Sequence, residues 1–288
     1  MKKRAVSLLL TILTAVSLIL PASAGSSWSA IRLDGEAVQG VDYEIRNGVC
    51  FVTVASFAVY MDPEAMVDEE GGRVSVSASR VKKVVDAAAG ASVVTENLTL
   101  TAKNGDSYLE ANGRCLYVKD GVTTIDGKVA VPIRVLGEVY NLDVGYDNVA
   151  CSVILVRRKW PNAYLTPGDD YYNSGDLLWL SRIINAESGN QSLKGKIAVG
   201  NVVINRVRSS LFPNTIYNVL FQKNQFSPAI SGSIYKTPSA DSVRAAKLVI
   251  EGVTVVPTAL FFNQAGSTTY AARSRTYVTT IGGHAFYA

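Results

Sequence analysis

The stretch Asp176-Leu177-Leu178-Trp179-Leu180-Ser181-Arg182-Ile183-Ile184-Asn185-Ala186-Glu187-Ser188-Gly189 divides the chain. Short alternating runs precede it and helical periodicity follows it. Within it Leu180, Ile183, Ile184 and Glu187 fall at i, i+3, i+4 and i+7, which is one face of an α-helix. Asp176 stands where an N-cap would, and Gly189 where a helix would end. A carboxylate thus sits on the apolar stripe. A Glu there loses hydration, which disfavours its charged form and lets it keep a proton near neutral pH. That is the requirement for a general acid acting on a glycosidic oxygen. The other reading is a Glu at a helix end whose head reaches water, and spacing alone leaves both open.

Downstream, Ser192 caps a second predicted helix whose buried face is Leu193, Ile197, Gly200, Ile204 and Val207. A third follows Thr215 (216–221), and a fourth runs from about Ser239 to Glu251 before Gly252. Strand-like runs occupy 259–262 and 275–281, and Gly282-Gly283 turns into His284-Ala285-Phe286-Tyr287. Four helices and a small late sheet make an α+β domain over 177–288.

Upstream, residues 25–156 read as a β-rich module with an internal repeat. Asn47-Gly48-Val49-Cys50-Phe51-Val52-Thr53-Val54 lines up with Asp126-Gly127-Lys128-Val129-Ala130-Val131-Pro132-Ile133. Each copy has a turn, a strand, a short helix-like run (55–60; 134–140) and a further strand (73–78; 151–156). Asn-Gly or Asp-Gly before an alternating strand is a hairpin signal. Residues 157–176, with Trp160-Pro161 and Pro167-Gly168-Asp169-Asp170, have the composition of an interdomain linker. At the start, Lys2, Lys3 and Arg4 precede the apolar run 5–20 and the small residues of Pro21-Ala22-Ser23-Ala24. That is the form of a secretory signal over residues 1–24, and the run is short for a membrane span of about 20 residues.

The net charge of +4 hides an asymmetry. Residues 25–151 hold 11 basic and 18 acidic residues, and residues 152–288 hold 14 basic and 6 acidic ones. A basic C-terminal body in an exported, non-spanning protein suits wall glycan or teichoic acid rather than nucleic acid, unless the charge is merely a solubility face. Cys50, Cys115 and Cys151 all precede that body. Three cysteines allow at most one disulfide, and the simpler expectation is three buried apolar fillers.

Subtraction narrows the chemistry. A single His in the chain argues against zinc amidases and peptidases, which need several protein ligands. No Cys follows residue 151, so a Cys/His peptidase confined to the C-terminal domain is excluded. An S-x-x-K pattern occurs at Ser233–Lys236, but also at Ser79–Lys82, without partner motifs. The acids after 151 are Asp169, Asp170, Asp176, Glu187, Asp241 and Glu251. Most have a linker, cap or helix-end explanation, so a two-carboxylate glycosidase is poorly supplied and a single-acid mechanism fits better. No cofactor or metal is implied.

From Leu177 to Tyr287 the chain resembles the catalytic domain of SleB/CwlJ-type cell-wall hydrolases, the spore cortex-lytic family. The resemblance rests on 181–189 within the opening stretch, Gly195 to Val207, Phe212-Pro213, Gln225-Phe226-Ser227, Ala245-Ala246, Phe261-Phe262-Asn263 and Ile281 to Tyr287. It implies a lysozyme-related α+β domain and lytic transglycosylase activity on peptidoglycan, with Glu187 as the catalytic acid. Asn205, Gln225, Asn263 and His284 stand in the motifs as candidate sugar-groove residues, or as groups satisfying buried backbone. Arg206 reads as a solvated or ion-paired helix residue. Many members carry Arg-Gly-Glu shortly after the acid, where this chain has Ser188-Gly189-Asn190-Gln191. The segments 111–114, 131–136 and 144–147 resemble the small stalk module named after the N-terminal domain of copper amine oxidases. No histidine precedes residue 284, so no histidine-bound copper site is expected there, and the module reads as a spacer or wall-adhesion unit. The expectation is a secreted enzyme of the cell wall or spore envelope, acting on vegetative wall or cortex peptidoglycan. The competing readings are a water-using muramidase assisted by Asp241 and a non-catalytic wall-binding protein.

Overall fold

The computed structural model describes residues 31–86, 90–158 and 163–288. The secretory signal expected at 1–24 lies outside them, as does Trp160-Pro161.

The first module contains β1 (Ile31–Leu33), β2 (Glu36–Ala37), β3 (Tyr43–Arg46), β4 (Val49–Thr53), α1 (Val54–Met61), β5 (Met66–Glu70), β6 (Arg73–Asp86), β7 (Gly90–Lys103), β8 (Tyr108–Ala111), β9 (Arg114–Tyr117), β10 (Thr123–Ile125), β11 (Lys128–Pro132), α2 (Ile133–Val139), β12 (Leu142–Asp147) and β13 (Ser152–Arg157). They form sheets ordered β12-β13-β1-β2, β10-β11-β4-β3 and β5-β6-β7-β8-β9. The two sequence repeats meet physically. Strands β4 and β11 pair antiparallel, with Val52 opposite Val131 and Phe51 opposite Pro132. Each is entered through a two-residue turn in which both residues have positive φ, Asn47-Gly48 and Asp126-Gly127. That backbone matches the strand twist and selects Asn, Asp and Gly. Strand β1 lies parallel to β13, with Ile31 opposite Val153, so the ends of the module close on each other.

The rest of the chain contains α3 (Gly168–Tyr171), α4 (Ser174–Ser188), α5 (Leu193–Arg208), α6 (Ile216–Leu220), α7 (Ser227–Ser231), a 3₁₀ turn (Ser233–Tyr235), α8 (Ala240–Ile250), β14 (Phe261–Gln264), α9 (Tyr270–Ser274), β15 (Tyr277–Ile281) and β16 (His284–Tyr287). The predicted helices are present, together with α3, α7, α9 and the 3₁₀ turn. These are too short for a periodic signal. One cap differs: Asn173, not Asp176, caps α4, and its side chain accepts from the Asp176 N–H at 3.0 Å. Asp176 instead supplies negative charge to the first turn, beside the helix dipole. Ser192, Thr215 and Ser239 cap α5, α6 and α8 through their hydroxyls.

Helix α5 is buried on more than its predicted face. Ile197 and Val203 enter a core with Leu180, Ile183 and Ile184 of α4 and Leu248 and Val249 of α8. Ala198, Val199 and Val202 pack against Phe286 and the sheet β14-β16-β15. At Gly200 a Cβ would stand 2.8 Å from Val249 and 2.9 Å from Ile184, which explains why a glycine lies where three helices converge.

The segment expected as a linker is seated on both parts. Tyr164 and Leu165 are buried in the first module's core, and Tyr172 is buried beyond α3. Gly168 approaches the Gly113 backbone so closely that a Cβ would meet its carbonyl oxygen at 2.8 Å. Across the joint, Arg114 of β9 makes a two-bond ion pair with Glu251 at 2.8 and 2.6 Å, both side chains being under 9% exposed. The cysteines form no disulfide, and the expectation of three buried fillers is corrected at one of them. Cys50 and Cys115 are buried, whereas Cys151 is exposed, in a turn at φ 49°.

Candidate active site

Glu187 occupies the last turn of α4, where the stripe of Leu180, Ile183 and Ile184 runs out of the core and opens onto a cleft of about 550 Å³. Arg206 of α5 enters from one side. Asn224, Gln225, Phe226, Ser227 and Ile230, around the start of α7, form another wall. Phe262, Asn263 and Gln264 of β14 and His284 of β16 complete the lining. Among the described residues of that lining Glu187 is the sole carboxylate and Arg206 the sole cation. A second cavity of about 550 Å³ lies in the first module, walled largely by Ile45, Tyr117, Ile133, Val144 and Tyr146. Its carboxylate, Asp120, is a loop residue outside the helical region.

Burial pushes the Glu187 carboxyl above the usual carboxylate range, and the Arg206 charge opposes that rise. The two groups act on each other through space rather than as a hydrogen-bonded pair. A protonated carboxyl facing an open cleft is a group able to deliver a proton to a bound ether or glycosidic oxygen.

The four other candidates from the sequence separate clearly. Gln225, Asn263 and His284 lie on the cleft. Asn205 does not, which corrects the expectation of a sugar-groove residue. Its amide donates to the Val256 and Ala259 carbonyls at 2.9 and 3.0 Å, so it is spent on the backbone. One turn earlier, the buried Asn201 donates to the Val253 carbonyl and accepts from the Val255 N–H, both at 2.7 Å. The two asparagines fasten the 253–259 segment that leads into β14. Asn201→Ala is expected to destabilise the fold by about 2 kcal/mol, because a buried carbonyl and N–H lose their partner. Urea unfolding with an unchanged m-value would measure it.

Asn263 faces the cleft, but its amide also organises the following loop. It donates to Gln264 and Ser267 at 2.9 Å and accepts from Thr269 at 2.7 Å. His284 stands edge-on to Phe262, with centroids 5.3 Å apart, and its Nδ1 is buried without a partner. Burial holds its pKa below the usual value, so the ring is neutral near pH 7. The turn before it is fastened by Gln191, whose side chain accepts from the Gly283 N–H at 2.9 Å. A Cβ at Gly282, which has φ +55°, would stand against that side chain.

Arg206 departs from the expectation of a solvated or ion-paired helix residue. It is neither solvated nor ion-paired: it is 4% exposed and its Nε donates to the Leu260 carbonyl at 2.7 Å. Its guanidinium lies 4.9 to 5.5 Å from the ring centres of Phe226, Phe212 and Phe261. Burial draws its pKa down to about 10. No local pattern announces this, since the three rings come from distant segments.

Asp241, the assisting carboxylate of the muramidase reading, is absent from the cleft. It pairs with Arg244 at 2.6 Å in the first turn of α8.

Residues 190–287 match the family model described as Cell Wall Hydrolase, and residues 32–155 match that of the Copper amine oxidase N-terminal domain. Spore cortex-lytic enzymes of Bacillus cereus and Bacillus subtilis are 32% and 28% identical to this chain over 116 residues. That stretch is 40% of this chain and 45% and 38% of theirs, so the chain spans less than half the length of these curated relatives. The solved catalytic domain of the germination-specific lytic transglycosylase SleB from Bacillus anthracis is 29% identical. All of that domain is covered by 43% of this chain, with a TM-score of 0.39. For the catalytic domain of the Bacillus cereus SleB protein the identity is 30%, over 92% of that domain and 41% of this chain, again at 0.39. The chain thus carries a cell-wall hydrolase domain behind a copper-amine-oxidase-N-terminal-like domain. The hydrolase match begins three residues beyond Glu187, which lines the cleft but lies outside the matched residues.

Proposed function

We propose that this chain is an exported enzyme that cuts peptidoglycan glycan strands between N-acetylmuramic acid and N-acetylglucosamine, as a lytic transglycosylase with Glu187 as its acid. The observation carrying the reading is a cleft with one half-buried carboxyl and no second carboxylate among its described lining residues. A glycosidase that uses two carboxylates needs the second one as nucleophile or as base for water. An enzyme that uses an internal nucleophile does not. Glu187 gives its proton to the bridging oxygen as the bond from the muramic anomeric carbon to that oxygen breaks. The muramic 6-hydroxyl then bonds to the anomeric carbon, and its proton passes to the Glu187 carboxylate. The acid is regenerated, no water is consumed, and the product ends in 1,6-anhydro-muramic acid.

Gln225 and His284 are the polar cleft residues assigned to the sugar, with Asn263 doubling as an organiser of its own loop. The substrate class is the peptidoglycan of wall or spore cortex, and the place of action is outside the membrane. Among the described residues no helix is long and apolar enough to cross a bilayer.

Mass spectrometry of fragments released from purified peptidoglycan in H₂¹⁸O tests the reaction. Anhydro ends without ¹⁸O are expected, whereas labelled reducing ends would replace the mechanism with hydrolysis. Glu187 must be protonated to start, so kcat/KM should fall as pH rises through its elevated pKa. A rate that climbs through pH 8 would remove Glu187 from the role of acid.

A further inference from the structure

Arg206 is a buried cation on the cleft whose hydrogen-bonding capacity is not used up. Nε is committed to Leu260, but Nη1 is buried with no acceptor. Purely structural work at this place is done by neutral groups. The nearby carbonyls of Val253, Val256 and Ala259 are all met by the amides of Asn201 and Asn205. A charge is used only at Leu260, where the side chain also borders the space in front of Glu187. The ring faces of Phe212, Phe226 and Phe261 let a guanidinium survive there, since they attract cations without neutralising them.

Resting on the transglycosylase reading above, we propose that Arg206 is a positioning residue for Glu187, a fixed cation that leaves the acid protonated before the cut and supports its carboxylate after it. A direct ion pair would keep Glu187 ionised and unable to donate. An absent cation would leave the new carboxylate unsupported in a desolvated wall, where it would recapture a proton before the 6-hydroxyl gave one up. A caged guanidinium that lines the same cleft and acts on Glu187 through space, without a hydrogen bond to it, satisfies both demands.

Few other charges compete. His284 on β16 is held neutral by burial. Arg275 stacks on Phe261, 4.7 Å from the ring centre. On α5, Lys196 is engaged with the Gln191 carbonyl and Arg208 is exposed. On α4, Arg182 stacks on Trp179.

The test compares the full chain with Arg206→Gln, which can still donate to Leu260, and Arg206→Lys, which keeps the charge. The Glu187 carboxyl is titrated by ¹³C NMR, assigned through its loss in Glu187→Gln, and kcat and KM are measured against pH on purified peptidoglycan. In Arg206→Gln the titration midpoint and the alkaline limb are expected to move up together. The same variant should lose roughly a hundredfold in kcat with KM little changed. Arg206→Lys should hold the midpoint near its wild-type place and recover part of kcat. An unmoved midpoint in a folded Gln variant, or an equal upward shift in a folded Lys variant, overturns the proposal. The carboxyl titration needs no turnover, so it decides the role of Arg206 even if the wild type releases no anhydro product and the transglycosylase reading falls.

Discussion

Glu187→Gln is expected to slow glycan-strand cleavage by roughly 10²- to 10⁴-fold while leaving the fold intact. The loss should approach the upper figure, because in the proposed reaction one carboxyl serves both proton transfers, and the described cleft residues offer no second acid to take over. The glutamine is the same size, and the apolar residues that hold this part of α4, Leu180, Ile183 and Ile184, are untouched. Release of soluble muropeptides by wild type and variant measures it. Retained activity would dismiss Glu187 as the acid.

The same substitution carries a stability prediction of opposite sign. Burial lifts the folded-state pKa of Glu187 above its unfolded value. A carboxyl of this kind supports the fold fully while protonated, below the unfolded pKa, and that support is lost as pH rises through the folded pKa. Above that window the enzyme holds a desolvated charge that glutamine would not. The variant should therefore melt higher than the wild type at pH 8, with the gap closing as pH falls towards 4. A variant that melts lower at pH 8 would mean that Glu187 serves the fold rather than the reaction.

What the sequence disclosed follows from how local each signal is. The stripe leading to Glu187 is a property of one helix, so it could be read without any partner. So could the hydroxyl caps at Ser192, Thr215 and Ser239, and the turns Asn47-Gly48 and Asp126-Gly127, whose residue types answer a backbone demand. The choice between sugar and backbone for Asn205 is not legible in the sequence, because an amide looks the same whether it faces a sugar or a carbonyl, and only the path of the 253–259 segment decides. Arg206 was hidden for a related reason. Its environment is assembled from Phe212, Phe226 and Phe261, and a polar helix position gives no hint of an aromatic cage. The linker composition at 157–176 was real, but composition does not reveal that Tyr164 and Tyr172 find buried sites on either side of it.

The joint between the modules yields the other large effect. Arg114→Ala is expected to cost about 3–5 kcal/mol in stability, because it strands the Glu251 carboxylate in a buried setting. Glu251 accepts two bonds from Arg114 and one, at 2.6 Å, from the Tyr172 hydroxyl. Loss of the guanidinium leaves the hydroxyl alone to replace its hydration. The guanidinium also lies 3.6 Å from the ring centre of Tyr171, so packing is lost with the charge. Around this pair the joint continues. Cys115 is buried in the same core as α4 and α8, Lys247 donates to the Gly113 carbonyl at 2.6 Å, and Arg244 reaches Glu110 at 3.0 Å. The outer contacts are partly exposed and contribute little individually. The buried pair therefore decides whether the two modules melt together. Calorimetry should show one cooperative transition for the wild type and two for Arg114→Ala, the hydrolase domain melting first. The double substitution Arg114→Met with Glu251→Met should restore much of the loss, since it removes the stranded charge as well as its partner. Two transitions already present in the wild type would instead make the first module an independent body, with no hold on the helix that Glu251 ends.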